Sequence, residues 1–160
     1  MINRFIAFYS GYIQSRITRH FGGYTIVIDN ATNDRPILAA VDKSTNSIVV
    51  MHSNMERTAG QPAPIWRTLG YFESGSYSPK LVTDSNGRLI ILYVKDNQIL
   101  VKTWNGTTWI PLGGNIGIDT LFSGILQREI SVNSDGIICV VWGEMKTPVN
   151  ITLFAKRYNR

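Results

Sequence analysis

A repeat constrains this chain more than any other feature. Trp66-Arg67-Thr68-Leu69-Gly70 and Trp109-Ile110-Pro111-Leu112-Gly113 share Trp, Leu and Gly at a spacing of 43 residues. Pro36 and Pro79 stand at the same spacing of 43, each opening a short apolar run that ends on an aspartate, Asp42 and Asp84. A further copy begins near Glu129. Its segment Ile130–Gly136 parallels Leu81–Gly87, and Leu153–Asn159 parallels Ile99–Asn105 across a longer connection around Gly143–Asn150. A weaker, earlier copy has Gly23–Val27 in the place of the Trp strand. Self-similarity at this period is the mark of arrays whose units bury their apolar faces against their neighbours.

Residues 79–113 give the pattern within one unit. Strands are expected at Lys80–Thr83, Leu89–Val94, Gln98–Trp104 and Thr108–Leu112. Turns fall at Asp84–Gly87, where Gly87 tolerates positive φ, at Lys95–Asn97, and at Asn105-Gly106, a hairpin signal. Leu89–Val94 is apolar almost throughout, so both of its faces should be covered. No segment reads clearly as a helix, and Gly124 interrupts the one ambiguous stretch, 119–128. Four antiparallel strands in about 43 residues is blade spacing. The expected fold is all-β, a β-propeller-like stack of four-stranded antiparallel blades, three to four per chain, with residues 1–160 forming one domain. Trp66 and Trp109 are expected to pack between blades.

The runs Ser131–Trp142 and Val101–Gly114 resemble bacterial β-propeller repeats, in which a strand ending in DxxG, a VVxW strand and a WNGxxWxxLGG hairpin recur. The resemblance covers residues of about 35–160 and implies a fold more than an activity.

Strand counting poses a closure problem. Residues 4–28 read as two or three strands (Phe5–Ser10, Ile13–His20, Tyr24–Asp29), so 1–28 form either an N-terminal arm or an incomplete blade. The last unit lacks a fourth strand, whereas closed propellers have about four blades or more. Copies of the chain can complete a ring together, a different protein can supply the missing strands, or an N-terminal strand can complete the last blade. In each case the edge carrying Ile151, Leu153, Ala155 and Arg157 is expected to seek a partner. The net charge of +5 is concentrated at the ends: Arg4, Arg16 and Arg19 in residues 1–28, and Lys146, Lys156, Arg157 and Arg160 in residues 145–160, without an acid in either segment.

The chemistry available is narrow. One cysteine, Cys139, excludes an intrachain disulfide and a cysteine-cluster metal site. The two histidines, His20 and His52, lie in no nucleophile motif, and among eleven acids no pair is marked for glycoside chemistry. Asp42, Asp84 and Asp135 sit in turns, where capping the backbone suffices to explain them. Gly113–Gly117 lacks the following Lys-Ser/Thr of a phosphate loop, and no nucleic-acid module is present. No cofactor, no metal and no enzymatic activity are expected. The expected function is a binding or assembly module, a structural component of a larger complex such as a phage virion or tail, with protein partners or self-association.

The alternative is a carbohydrate-binding lectin. Trp104-Asn105 and Tyr158-Asn159 recur at equivalent places and offer rings for sugar stacking; Tyr71, Phe72 and Tyr77 are further exposed aromatics. A membrane is not expected as a partner and nucleic acid is disfavoured. Met1–Tyr12 has no secretory h-region. The expectation is therefore a soluble protein made in the cytoplasm, with incorporation into a virion as one destination.

Overall fold

A computed structural model describes residues 21–29, 35–54, 65–117, 125–147 and 150–158. They form twelve strands: β1 (Phe21–Asp29), β2 (Arg35–Asp42), β3 (Ser47–Asn54), β4 (Ile65–Tyr71), β5 (Tyr77–Thr83), β6 (Leu89–Lys95), β7 (Gln98–Trp104), β8 (Trp109–Pro111), β9 (Ile116–Gly117), β10 (Ile125–Val132), β11 (Ile138–Thr147) and β12 (Asn150–Tyr158). The all-β expectation holds. Three antiparallel sheets run β1-β2-β3-β4, β5-β6-β7-β8 and β10-β11-β12, with β9 also paired to β7. They stack as blades one, two and three. No helix among the described residues is long and apolar enough to cross a membrane.

The first strand of each blade lies innermost, since β5 packs against both β1 and β10. Each of these three strands carries a bulge near its start, between Gly22 and Tyr24, Tyr77 and Lys80, and Ile125 and Arg128. Gly23 and Ser78 take positive φ there, 55° and 53°. A bulge at the same place in every inner strand bends the strand locally and sharpens its twist.

The turn after the inner strand explains the best part of the repeat. Gly87 N–H donates to Asp84 O (2.9 Å) and Asp84 N–H to Arg88 O (3.1 Å); Gly136 N–H donates to Asn133 O (3.0 Å) and Asn133 N–H to Ile137 O (3.1 Å). Gly87 and Gly136 sit at φ 73° and 75°, where any other residue would be strained. The equivalent turns also touch. Ser85 Oγ donates to Ser134 O at 3.0 Å, across a sequence separation of 49. Lys80 and Glu129, again 49 apart, form an exposed ion pair at 2.6 Å.

Two expectations of phase are corrected. Pro36 and Pro79 are not equivalent: Pro36 lies in β2, opposite Ile28, whereas Pro79 lies at the bulge of the inner strand β5. Gly23–Val27 is the inner strand β1 of blade one, not the outer strand of an earlier copy. Both errors arose because short apolar strands preceded by a turn look alike whichever slot they fill. The strands expected at Phe5–Ser10 and Ile13–His20 lie outside the described residues.

Among the described residues two apolar layers lie between the blades, and a third cluster, Leu38, Ala40, Val49 and Met51, is buried on the other face of blade one. Between blades one and two, Ile37, Ile48 and Val50 meet Leu81, Ile91 and Tyr93, joined by Phe72. Between blades two and three, Ile90, Leu92, Val94, Ile99 and Val101 meet Ile138, Val140, Trp142 and Tyr158. β6 feeds both layers, which is why Leu89–Val94 is buried along its length, as its unbroken apolar run predicts. The Trp-x-x-Leu-Gly repeat has a physical reason in these layers. A Cβ on Gly70 would stand 3.1 Å from the Trp109 ring of the next blade, and one on Gly113 would stand 2.8 Å from the Tyr158 ring of the blade after. The glycine of each repeat is the gap into which the following blade sets an aromatic ring.

Candidate functional site

Besides a cleft where β1, β5 and β10 meet, lined by Tyr24, Lys80, Arg128 and Glu129 with Lys80 paired to Glu129, two places in the described structure combine exposure with organised chemistry. The first is a cleft of about 330 Å3 between blades one and two. Its floor is apolar, from Ile37, Leu69 and Leu89. One wall is the half-buried indole of Trp104, at the end of β7, held by the Trp109 ring at a centroid distance of 5.3 Å. Buried Asp29 and the side chains of Arg35, His52 and Arg88 complete the lining.

Arg88 is held in position by its own turn. Asp84 is buried; its Oδ1 accepts the N–H groups of Asn86 and Arg88, each at 2.9 Å, and its Oδ2 takes Arg88 Nε at 3.0 Å. The guanidinium is thus tethered through Nε in a residue that lines the cleft. His52, in the middle of blade one, is held below the usual imidazole value of 6.5 by burial first, then by the charges of Arg35 and Arg67, with Asp29 opposing. The imidazole is therefore neutral at pH 7, able to donate from one nitrogen and accept at the other.

The second place is the outward face of blade three. Ile151, Leu153, Ala155 and Arg157 of β12 all point there, alternating with half-buried or buried Thr152, Phe154, Lys156 and Tyr158. Leu153 is 74% exposed, Ile151 57% and Val141 of the neighbouring strand 40%. In register, Val141 stands beside Ala155 and Gly143 beside Leu153. The four residues expected at an edge thus form part of a continuous exposed face.

The paired aromatic sites come apart. Trp104 borders the cleft, but Tyr158 is only 8% exposed, lies in the layer between blades two and three, and cannot offer its face to a sugar. Asn105 Oδ1 accepts the N–H groups of Thr107 (2.9 Å) and Thr108 (2.8 Å), so it shapes the hairpin turn. Asn159 lies outside the described residues. Phe72, expected at the surface, is buried against Tyr93 (4.9 Å) and Trp109 (5.5 Å); Tyr71 and Tyr77 are exposed. Asp42 caps its turn by accepting Ser44 N–H (2.9 Å) and Ser44 Oγ–H (2.6 Å), and Asp135 lies in a separate turn beside Asn133. No group of three His, Cys, Asp or Glu that could hold a metal occurs among the described residues.

The sequence reading missed Arg35 and Arg88, and took His52 as an isolated histidine. The cleft draws residues from β1 to β4, from the β5–β6 turn and from β7, and no local motif joins them. The one available signal was the Asp84–Arg88 turn, whose recurrence in the next blade has Ile137 in the place of arginine.

No protein-family model matches the sequence, and no curated protein matches it either. Among solved structures, that of the Penicillium chrysogenum α-L-arabinanase complexed with arabinobiose is similar, with a TM-score of 0.59 and 10% sequence identity. The match covers 89% of this chain and 47% of that chain, so the chain spans about half the length of the protein it matches. The arabinanase is a five-bladed β-propeller, and the likeness shows a propeller fold here. It also corrects the expectation that the chain is not an enzyme. The similar structure is a glycosidase, so this architecture carries catalysis and the lack of a recognisable motif excludes nothing.

Proposed function

We propose that the chain is a propeller module that binds other protein chains through the outward face of its third blade. One observation carries the reading. Val141, Leu153 and Ala155 occupy the places that Leu92, Ile99 and Val101 occupy in blade two. In blade two that face is buried under blade three; in blade three it is exposed yet still apolar. Contiguous exposed apolar surface on a sheet is a recognised mark of an association surface. The partner takes the position of a further blade and presents a flat apolar sheet of its own, supplied by a second copy or by a different protein. Membership of a larger particle, such as a phage virion or tail, is the setting in which such a face finds its partner.

The test is native mass measurement of the full chain and of Leu153→Lys, each checked for folding by circular dichroism. The expected result is assembly of the parent chain, or capture of a protein from the native source, with both abolished in the variant. A parent chain that stays single at high concentration and captures nothing the variant fails to capture overturns the reading.

A further inference from the structure

The cleft between blades one and two is remote in character from the association face, and its chemistry points to a small molecule. Its volume, about 330 Å3, falls at the lower end of the range of ligand pockets, roughly 300–1,000 Å3, and suits a single ring. Ile37, Leu69 and Leu89 give it an apolar floor, and the Trp104 indole adds a flat aromatic wall. A wholly polar ion gains nothing from such walls. A sugar ring does, because one of its faces presents C–H groups while its edge presents hydroxyls.

The rim then selects among sugars. Asp84 draws Arg88 Nε to 3.0 Å and so fixes the direction of the guanidinium, whose remaining donors suit a carboxylate held by two parallel bonds. Arg35 adds a second positive charge, and its effect on His52, together with that of Arg67, exceeds the opposing effect of Asp29. Arg35 and Arg88 thus place two cationic side chains on the cleft, with Asp29 in the lining and the buried Asp84 paired to Arg88. Neutral His52 supplies both a donor and an acceptor, as ring hydroxyls require.

We infer that this cleft binds a small acidic carbohydrate, a hexuronic acid or the end of a uronate chain, with the Trp104 indole against the ring and the Arg88 guanidinium on the carboxylate. This places a single glycan site at Trp104 instead of two repeated ones. It does not depend on the proposed association, since no cleft residue lies in blade three.

The inference is tested on the intact chain by following the Trp104 indole N–H in NMR spectra, assigned with Trp104→Phe. Galacturonic acid, galactose and inorganic phosphate are the probes. Galacturonic acid is expected to shift the signal saturably at millimolar concentration, with galactose and phosphate at least about 10-fold weaker. Arg88→Gln should bring galacturonic acid down to the level of galactose. Equal binding of galactose overturns the acidic class, and equal binding of phosphate reduces the site to an anion contact. No saturable shift by galacturonic acid up to about 50 mM, where even weak single-ring binding would register, overturns the site altogether. The ratio of galacturonic acid to galactose in the unaltered protein decides the matter even if Arg88→Gln loosens the turn and fails to fold.

Discussion

Blade two and blade three are built alike, yet one face of the pattern has opposite fates in them. In blade two, Ile90, Leu92, Val94, Ile99 and Val101 form a closed layer with blade three. In blade three the corresponding residues, including Cys139, Val141, Leu153 and Ala155, face outward. The difference is not one of polarity, because most of the exposed residues remain apolar. It is one of neighbours. A sheet buries one face against the next blade and needs another for its second face. β6, with a blade on either side, is buried on both faces, whereas β11 alternates: Ile138, Val140 and Trp142 inside, Cys139 and Val141 outside.

The largest expected effect separates these faces directly. Leu92→Asp puts a charge into a closed layer and should cost about 4 kcal/mol or more, enough to unfold the chain. Val141→Asp, at the equivalent place in blade three, should cost less than about 1 kcal/mol in the isolated chain. Urea denaturation of the two variants measures both. Similar losses would mean that the outward face is as closed as the inner one, and the comparison would fail.

A middle-sized effect tests how each blade grips the next. Gly113 sits at φ 70°, and the Tyr158 ring of blade three occupies the space a Cβ would need. Gly113→Ala should therefore lose about 2 kcal/mol, from backbone strain and displacement of the ring together. Gly114→Ala, with no atom within 4 Å of the added methyl, is the control and should stay within about 0.5 kcal/mol of the parent. Equal effects would separate the Trp-x-x-Leu-Gly repeat from blade packing.

The smallest effect concerns pH and belongs to the layer between blades one and two. Burial, Arg35 and Arg67 hold His52 below 6.5 in the folded chain. As pH falls, the unfolded chain takes up this proton first. The contribution of His52 to stability is therefore complete above pH 6.5 and is lost as pH falls through the lowered folded value. His52→Gln should reduce the loss of urea midpoint between about pH 7.5 and about pH 5.5, leaving the higher-pH slope unchanged. An unchanged loss would show that other groups set the acid sensitivity.

Much of this architecture is legible in the sequence where the signal is local. The Asp84–Gly87 and Asn133–Gly136 turns, 49 residues apart, announce the same hairpin because an Asx residue and a glycine at fixed separation admit few backbone paths. The apolar run Leu89–Val94 declares a strand covered on both sides. The phase of the blades was less legible. Pro36 and Pro79 share a spacing without sharing a role, because any short apolar strand after a turn fits several slots. The cleft was not legible, since Trp104, Arg88 and His52 come from separate turns and strands. Tyr158 looked like a second Trp104, but the gap at Gly113 draws it into the core.

The sequence by itself determined the strands, their turns and the kind of fold, because periodicity and turn chemistry act over a few residues. The tertiary structure decided which strand is innermost, which aromatic rings are covered and which apolar face is left open. Those properties depend on which blade lies beside which, and a residue acquires its exposure only from the neighbour that does or does not arrive.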